Sequence, residues 1–378
     1  MSNSEYYIKR KVSIFYGPAG GGHYTVSKAL EEEFKEKGYE VELLDITEMG
    51  KPGFKNPSKS YSFAIKYLRI PHMLINYAMR VPLVAYLFNL SIWAQTKEKL
   101  MPLMKELGGV GIDRIRKTDL IINVYPQYTY ILNAAKKRLG LTVPIVTIVT
   151  DISFVYALWF DKRNDLTILP TIETYQNGYR YFKDYKDRVV KLGLPIRSKF
   201  FEKENSKKTK KDQKEKENLR QVLILSGAEG MGHIEKLVST IDKECSGIKI
   251  LVSVGKEKQL KDKLLSKTYS NKIEVIEWTD KFEEYIKESE IIITKGGASS
   301  LWECLSTGNQ VIVFDYIKGQ ENGNPEFAKY YGNGIYEPNF KKIAKLISKN
   351  SFSPKKSNIA SINWTKQIVE RVISLIKE

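Results

Sequence analysis

The chain reads as an α/β protein: two Rossmann-like, doubly wound domains facing each other across a cleft. Three observations predict this. Short apolar runs alternate with amphipathic stretches of helical period through most of the 378 residues. A nearly all-charged segment, Glu202 to Asn218 (EKENSKKTKKDQKEKEN), interrupts that rhythm near the middle. The rhythm then restarts, and in both halves apolar runs end on glycine-rich turns.

In the first half VSIFYG (Val12 to Gly17) is a short apolar strand, and Tyr24 to Gly38 is an amphipathic helix that stops on glycine. YEVELLDI follows as a strand, then DLIINVYP, a helix over Tyr130 to Arg138, and the strand run VPIVTIVTD. This half is expected to end near Leu194-Pro195, giving a first domain over 1–195 and a linker over 196–219. In the second half QVLILSGAEG, IKILVSVG and KIEVIEW supply strands. IIITKGG opens into the helix ASSLWECLSTG, and QVIVFDY is the next strand. A second domain over 220–355 and an amphipathic helix within 356–378 (SINWTKQIVERVISLIKE) complete the chain.

Composition narrows the function classes. Hydrophobic residues make up 42% of the chain, too many for a disordered polymer and too few for an integral membrane protein. The longest weakly polar stretch, Val81 to Ala94, is shorter than the ~20 residues a helix needs to cross a bilayer. The sequence MSNSEYYIKRK puts charge where a signal peptide needs an apolar core, so a cytoplasmic location is expected. Cys245 and Cys304 offer no disulfide framework, and with 3 histidines a multi-histidine metal enzyme is disfavoured.

The formal net charge is +17, and most of the excess lies in the first 200 residues. From Met49 to Lys97 there is no acidic residue, while Lys66, Arg69 and Arg80 are interleaved with Phe54, Tyr61, Tyr77 and Trp93. Such a stretch suits an anionic membrane surface, because its apolar segments carry sparse charge. The alternatives are an ordinary helical core with a solvated basic face, and a nucleic-acid track.

Four motifs fall where strands turn into helices. GPAGGGH (Gly17 to His23) puts Gly22 and His23 at the cleft mouth, where free N–H groups favour anions. His23 is either a functional imidazole or a helix cap. Asp151, just after VTIVT, could accept a proton, orient an imidazole or cap a turn. SGAEGMGH brings Gly227, Gly230, Met231 and Gly232 to a second glycine turn. In TKGGASSLWE, Gly297 and the N–H groups of Ala298, Ser299 and Ser300 open a helix suited to a diphosphate, and Glu303 could accept from a ribose diol. Gln320, Glu321 and Asn324 form a polar cluster suited to sugar hydroxyls. No Walker lysine pattern occurs, so ATP hydrolysis is disfavoured.

These motifs, in this order from about Val12 to about Gly334, resemble the monogalactosyldiacylglycerol synthase and processive diacylglycerol glucosyltransferase family of GT-B glycosyltransferases. The resemblance implies an N-terminal acceptor domain, a C-terminal UDP-sugar domain, inversion at the anomeric carbon without a metal or other cofactor, and a final helix crossing back to the first domain. By position it puts ribose on Glu303, diphosphate on Gly297 to Ser300, and donor sugar on Gln320 and Glu321. Uracil would lie beside Trp278, Thr279 and residue 280. Segment 54–97 would be the lipid surface. The chain departs from the family pattern at Tyr156, in a histidine's place, at Gly296-Gly297-Ala298, where Pro-Gly-Gly is usual, and at His233, in place of a proline.

The expected chemistry is a single displacement: His23, with an ordinary imidazole pKa of ~6.5, takes the acceptor's proton, and Asp151 orients it or stands in. The expected partners are a UDP-sugar, diacylglycerol or a similar lipid, and the anionic inner face of the cell membrane, with no nucleic acid. The alternatives are a peptidoglycan-lipid acceptor, a UDP-sugar epimerase, and a non-catalytic protein that binds UDP and membrane.

Overall fold

The computed structural model describes residues 9–17, 21–46, 63, 67–110, 117–201, 219–227, 233–255, 257–279, 281–349, 359 and 362–376. Phe54, Tyr61, Lys66, Gly230, Met231, Gly232, residue 280 and most of the expected linker lie outside them.

The first lobe is built from β1 (Lys11–Phe15), α1 (Gly22–Glu36), β2 (Glu40–Leu44), α2 (Arg69–Ala78), α3 (Pro82–Leu107), β3 (Leu120–Asn123), α4 (Pro126–Leu139), β4 (Ile145–Ile148), β5 (Leu166–Leu169), α5 (Ile172–Phe182) and β6 (Val189–Lys191). All its strand pairs are parallel, in the order β2-β1-β3-β4-β5-β6. Helices cover both faces of such a sheet, so β1, β3, β4 and β5 bury every residue. The local sequence sets the helix ends. Pro126 starts α4 four residues before the expected Tyr130, because proline at the first helical position needs no N–H partner. Gly140, at φ +64°, then stops it in the left-handed conformation.

The second lobe carries β7 (Arg220–Leu225), α6 (Ile234–Glu244), β8 (Ile248–Gly255), α7 (Lys258–Leu265), β9 (Lys272–Glu277), α8 (Phe282–Glu288), β10 (Ile291–Thr294), α9 (Ala298–Ser306), β11 (Gln310–Val313), α10 (Asn324–Tyr331), β12 (Asn333–Tyr336), α11 (Phe340–Lys349) and α12 (Trp364–Ile373). The parallel order β9-β8-β7-β10-β11-β12 is the dinucleotide-fold order, whose direction reverses between β7 and β10. In the first lobe the reversal lies between β1 and β3. Ligands of such sheets bind beyond the carboxyl ends of the strands at these switch points.

Helix α12 returns to the first lobe. Thr365 Oγ1 accepts from the Ile196 N–H at 2.9 Å and donates to its carbonyl at 2.6 Å, and Lys37 pairs with Glu370 at 3.2 Å. Ile368 and Val372 are buried in a cluster that holds Val26 and Leu30 of α1 and reaches Leu223 and Ile292 of the second sheet. Trp364 lies against Gly193 so closely that a Cβ there would sit 2.0 Å from the indole. The linker expected from residue 196 starts later, because Ile196 and Phe200 are core residues and Arg197 forms a largely buried ion pair with Glu283 at 2.6 Å.

Candidate active site between the lobes

The first-lobe half of the site is built on the β1/β3 switch. His23 lies in the first turn of α1, whose N-cap Gly21 takes φ +50° and makes no side-chain cap. The imidazole Nδ1 is 2.8 Å from the Val124 carbonyl and 3.0 Å from Thr150 Oγ1. A carbonyl only accepts, so Nδ1 carries the proton and Nε2 keeps its lone pair. Tyr125 sits edge-on to the ring at 5.0 Å and Trp159 lies 6.3 Å away. This packing lowers the pKa to about 4 through desolvation, against the pull of the Val124 carbonyl, so the expected ordinary imidazole value is corrected.

Asp151 follows β4. Its Oδ2 accepts from Trp159 Nε1 at 2.7 Å, and the Gln320 side chain of the other lobe hydrogen-bonds the same carboxylate. Burial raises its pKa to about 6, and these two bonds oppose the rise. The expectation that Asp151 orients His23 is corrected: Val124 and Thr150 hold the imidazole, while Trp159 and Gln320 hold the carboxylate.

The second-lobe half lies at the β7/β10 switch. Gly227 and Gly296 take φ +70° and +75°, conformations that favour glycine. Gly297 is the N-cap of α9 and leaves its first N–H groups without a side-chain cap. The starts of α1 and α9 meet across the cleft: Ser299 Oγ donates to the Gly22 carbonyl at 3.3 Å, and a Cβ on Gly22 would lie 2.9 Å from that oxygen. Ala298 and Ser300 flank this contact in the first turn of α9. Two helix N-termini therefore present their positive ends to one point. Lys295 passes over Gly227, its Cε 2.6 Å from where a Cβ would stand, and its charge faces Glu321. The sequence motifs gave Lys295 no role; its place directly before Gly296-Gly297 was the available signal.

Glu303, one turn into α9, is only 5% exposed, and no hydrogen bond to its carboxylate is present among the described residues. Burial raises its pKa to about 7. Glu321 is raised to about 7 by burial as well; one oxygen accepts from the Ile317 N–H at 2.8 Å and the other faces Gly297. Trp278, beyond β9, is 54% exposed and lies 6.2 Å from Tyr24 of α1, lining a cavity of about 370 Å³ with Val254, Gly255 and Lys258. Thr279 Oγ1 accepts from the Lys281 N–H at 3.2 Å.

Several expected contacts are corrected. Asn324 is buried with both ends of its amide committed: Nδ2 donates to Gly296 O and Oδ1 accepts from Ser153 Oγ, each at 2.7 Å. It braces the glycine turn against the first lobe and is not open to a sugar hydroxyl. Trp93, half-buried, packs one side against a core cluster of the first lobe. Tyr156 is buried beside Trp159, Leu169 and Phe182. Arg69, Tyr77 and Arg80 turn toward the second lobe. Arg80 Nη2 donates to Gly319 O at 2.7 Å, the Tyr77 hydroxyl accepts from Asn322 Nδ2 at 2.9 Å, and Arg69 lies 3.7 Å from Asp315. Their neighbours Tyr67, Ile70, Leu74, Leu83 and Leu87 are exposed. Among the described residues no single helix is long and apolar enough to cross a membrane; α2 and α3, bent by 106°, meet that length and composition only as a pair.

Residues 23–196, which carry His23 and Asp151, match the family profile described as monogalactosyldiacylglycerol (MGDG) synthase. Residues 221–363, which carry the glycine turns, Lys295 and Glu303, match the glycosyltransferase family 28 C-terminal domain. Over its first lobe the chain is thus similar to the monogalactosyldiacylglycerol synthases. A probable monogalactosyldiacylglycerol synthase of Nicotiana tabacum is 29% identical over 368 residues, covering 93% of this chain and 66% of its own length. The synthase of Spinacia oleracea is 29% identical over 367 residues, 93% of this chain and 67% of its own. The chain thus spans about two thirds of the length of these relatives. The glycosyltransferase SsfS6 of Streptomyces sp. SF2575 shares the fold at a TM-score of 0.57 and 12% identity, over 96% of this chain and 99% of that one. The GT-B architecture thus brings the two motif sets face to face.

Proposed function

We propose that the protein transfers a hexose from a UDP-sugar to a diacylglycerol-type lipid at an anionic membrane surface, inverting the anomeric carbon in one displacement. The observation that carries this reading is the meeting of two uncapped helix N-termini at Ser299 and Gly22, with Lys295 beside them and His23 one residue away. Departing diphosphate gains negative charge, and these fixed positive groups are aimed at it without needing a metal ion. Glu303 accepts from the ribose, Trp278 lies beside the base, and Gln320 with the outward oxygen of Glu321 takes the sugar. The Nε2 lone pair of His23 accepts the lipid hydroxyl's proton as its oxygen attacks the anomeric carbon. Asp151, ionised above about pH 6, supplies negative charge on the sugar side through its bond to Gln320.

The match of residues 23–196 to the synthase profile and the names of the chloroplast relatives support the lipid acceptor. The exposed apolar side chains of α2 and α3, in a segment without acidic residues, support a peripheral membrane site. We extend this to the cytoplasmic face, where UDP-sugar would be available. The test is to incubate purified protein with diacylglycerol liposomes and labelled UDP-glucose or UDP-galactose in turn, with a chelator present. A labelled glycolipid of inverted configuration is expected. A free epimerised nucleotide sugar, or no product with either donor, would refute the proposal.

A further inference from the structure

Three consecutive residues open α1 and serve three different parts of the cleft. The Gly22 carbonyl accepts from Ser299 Oγ at 3.3 Å, beside the α9 terminus. His23 keeps its Nε2 lone pair because Nδ1 is committed to Val124. Tyr24 reaches across to the second lobe, where its ring lies 6.2 Å from the Trp278 indole at an interplanar angle of 51°. In its own lobe it is braced by Tyr16, edge-on at 5.5 Å. Trp278 follows β9 and is 54% exposed, and its indole walls the cavity of about 370 Å³. The described lining of that cavity comes wholly from the second lobe. One lining residue, Gly255, has φ +57°, and a Cβ there would lie 4.0 Å from the Gly227 carbonyl. The cavity therefore adjoins the glycine turn over which Lys295 passes.

From this arrangement we infer that Tyr24 is a positioning residue that couples the donor's nucleobase to the reacting centre. A planar base stacked on Trp278 fixes the indole against which Tyr24 packs, and Tyr24 sets the first turn of α1, with His23, against the donor. An exposed indole beside Val254 and Gly255 offers a flat apolar wall, the surface on which a base stacks. Ordering a side chain costs free energy on binding. A base that has already fixed the indole spares the Tyr24 contact that cost, so base and Tyr24 favour each other although only Trp278 touches both. The contact is ring against ring, and the aromatic face of Tyr24 carries it. The inference rests on the donor site proposed above and adds to it a contact from the opposite lobe.

The experiment is a double-mutant cycle on the full chain, read by calorimetry with UDP and by turnover at saturating UDP-sugar. Trp278→Leu should weaken UDP binding by about 10-fold or more, since it removes the stacking wall. Tyr24→Leu should weaken it by about 5-fold and lower turnover by about 10-fold, because His23 shares that turn of α1. Tyr24→Phe keeps the ring and should recover most of both losses. The double variant should bind UDP no more weakly than Trp278→Leu alone, because Tyr24 acts on the base only through the indole. Trp278→Leu should also show the turnover loss, since it cuts the same pair from the other lobe, and it covers the case in which Tyr24→Leu does not fold. Additive losses in the double variant would overturn the coupling, as would wild-type affinity and turnover in folded Tyr24→Leu. Unchanged UDP affinity in Trp278→Leu, or no UDP binding by the wild type, would instead sink the donor site as placed, and the coupling with it.

Discussion

Ser153 Oγ donates to Asn324 Oδ1 over 2.7 Å, joining two lobes across 171 residues of sequence. The lobes meet tightly here: a Cβ on Gly323 would sit 2.7 Å from the Ser153 Cβ. Because the same Asn324 donates to the Gly296 carbonyl, closure of the cleft and the shape of the glycine turn share one side chain.

Asn324→Asp tests that shared role. The carboxylate still accepts from Ser153, but it turns an oxygen toward the Gly296 carbonyl where a donor stood. A buried polar group left in that state costs about 1–3 kcal/mol. Thermal unfolding should show a lower midpoint, and calorimetry should show UDP binding weakened by roughly 5-fold or more, because the turn that opens α9 loses its brace. Ser153→Ala removes one bond and should cost about 1 kcal/mol. Equal UDP affinity in a destabilised Asn324→Asp protein would separate the brace from the donor site.

His23→Ala should lower turnover by ~100-fold or more while leaving UDP affinity near wild type. The reasoning is geometric: the Val124 carbonyl fixes the proton on Nδ1, so the imidazole offers Nε2 as an acceptor and makes no bond that the nucleotide needs. Single-turnover rates measured beside UDP calorimetry check both halves. Turnover at the wild-type level would remove His23 from the mechanism.

Activity should fall on acidification with an apparent pKa near 6, the value burial gives Asp151, while His23 at about 4 stays neutral over that range. The sign can be checked through Trp159, whose indole N–H stabilises the ionised carboxylate. Trp159→Phe removes the donor and should move the acidic limb of kcat/KM to higher pH. A limb that stays in place, or moves to lower pH, contradicts the assignment to Asp151.

Glu303 links stability to function. Its folded pKa of about 7 lies above the usual carboxylate value, so the folded state holds a proton that the unfolded chain has released. Stability of the ligand-free protein should therefore fall as pH rises from about 4.5 through 7, by up to roughly 3 kcal/mol from this group. Glu303→Gln should flatten that loss, raising the melting temperature at pH 8 by a few degrees. Glu303→Ala should weaken UDP binding. Melting curves against pH together with calorimetry decide it; a Glu303→Ala affinity equal to wild type would reject the ribose role.

The alternating strands and the glycine turns were legible because periodicity and turn chemistry are local. The final helix was legible as an element, though its packing on α1 came only from the family resemblance. Arg69, Tyr77 and Arg80 were visible as a basic aromatic run, yet their contacts with Asp315, Asn322 and Gly319 join segments about 240 residues apart. No local pattern encodes such a pairing. The burial of Tyr156 was hidden for the opposite reason: an aromatic residue in a motif position is also what a core uses. The pKa of His23 was out of reach because desolvation is set by Tyr125, Trp159 and their neighbours in space.

Lys295 offers the last test, since no motif argument demanded it. It follows Thr294 at the end of β10, and its stem lies over Gly227 because a glycine there leaves room for it. Among the described residues it makes no ion pair within salt-bridge distance, so its charge is directed at Glu321 and the point where α1 and α9 begin. Lys295→Met keeps most of the stem volume and removes the charge. If the diphosphate sits at those helix ends, UDP affinity should drop by roughly 10-fold and turnover by more, because the leaving group gains charge in the transition state. Lys295→Arg should restore binding in part, while activity in excess EDTA should match that in its absence for both proteins. Unaltered UDP affinity in Lys295→Met would put the diphosphate elsewhere in the cleft, and loss of wild-type activity on chelation would show that an ion carries the charge assigned here to the lysine and the two helices.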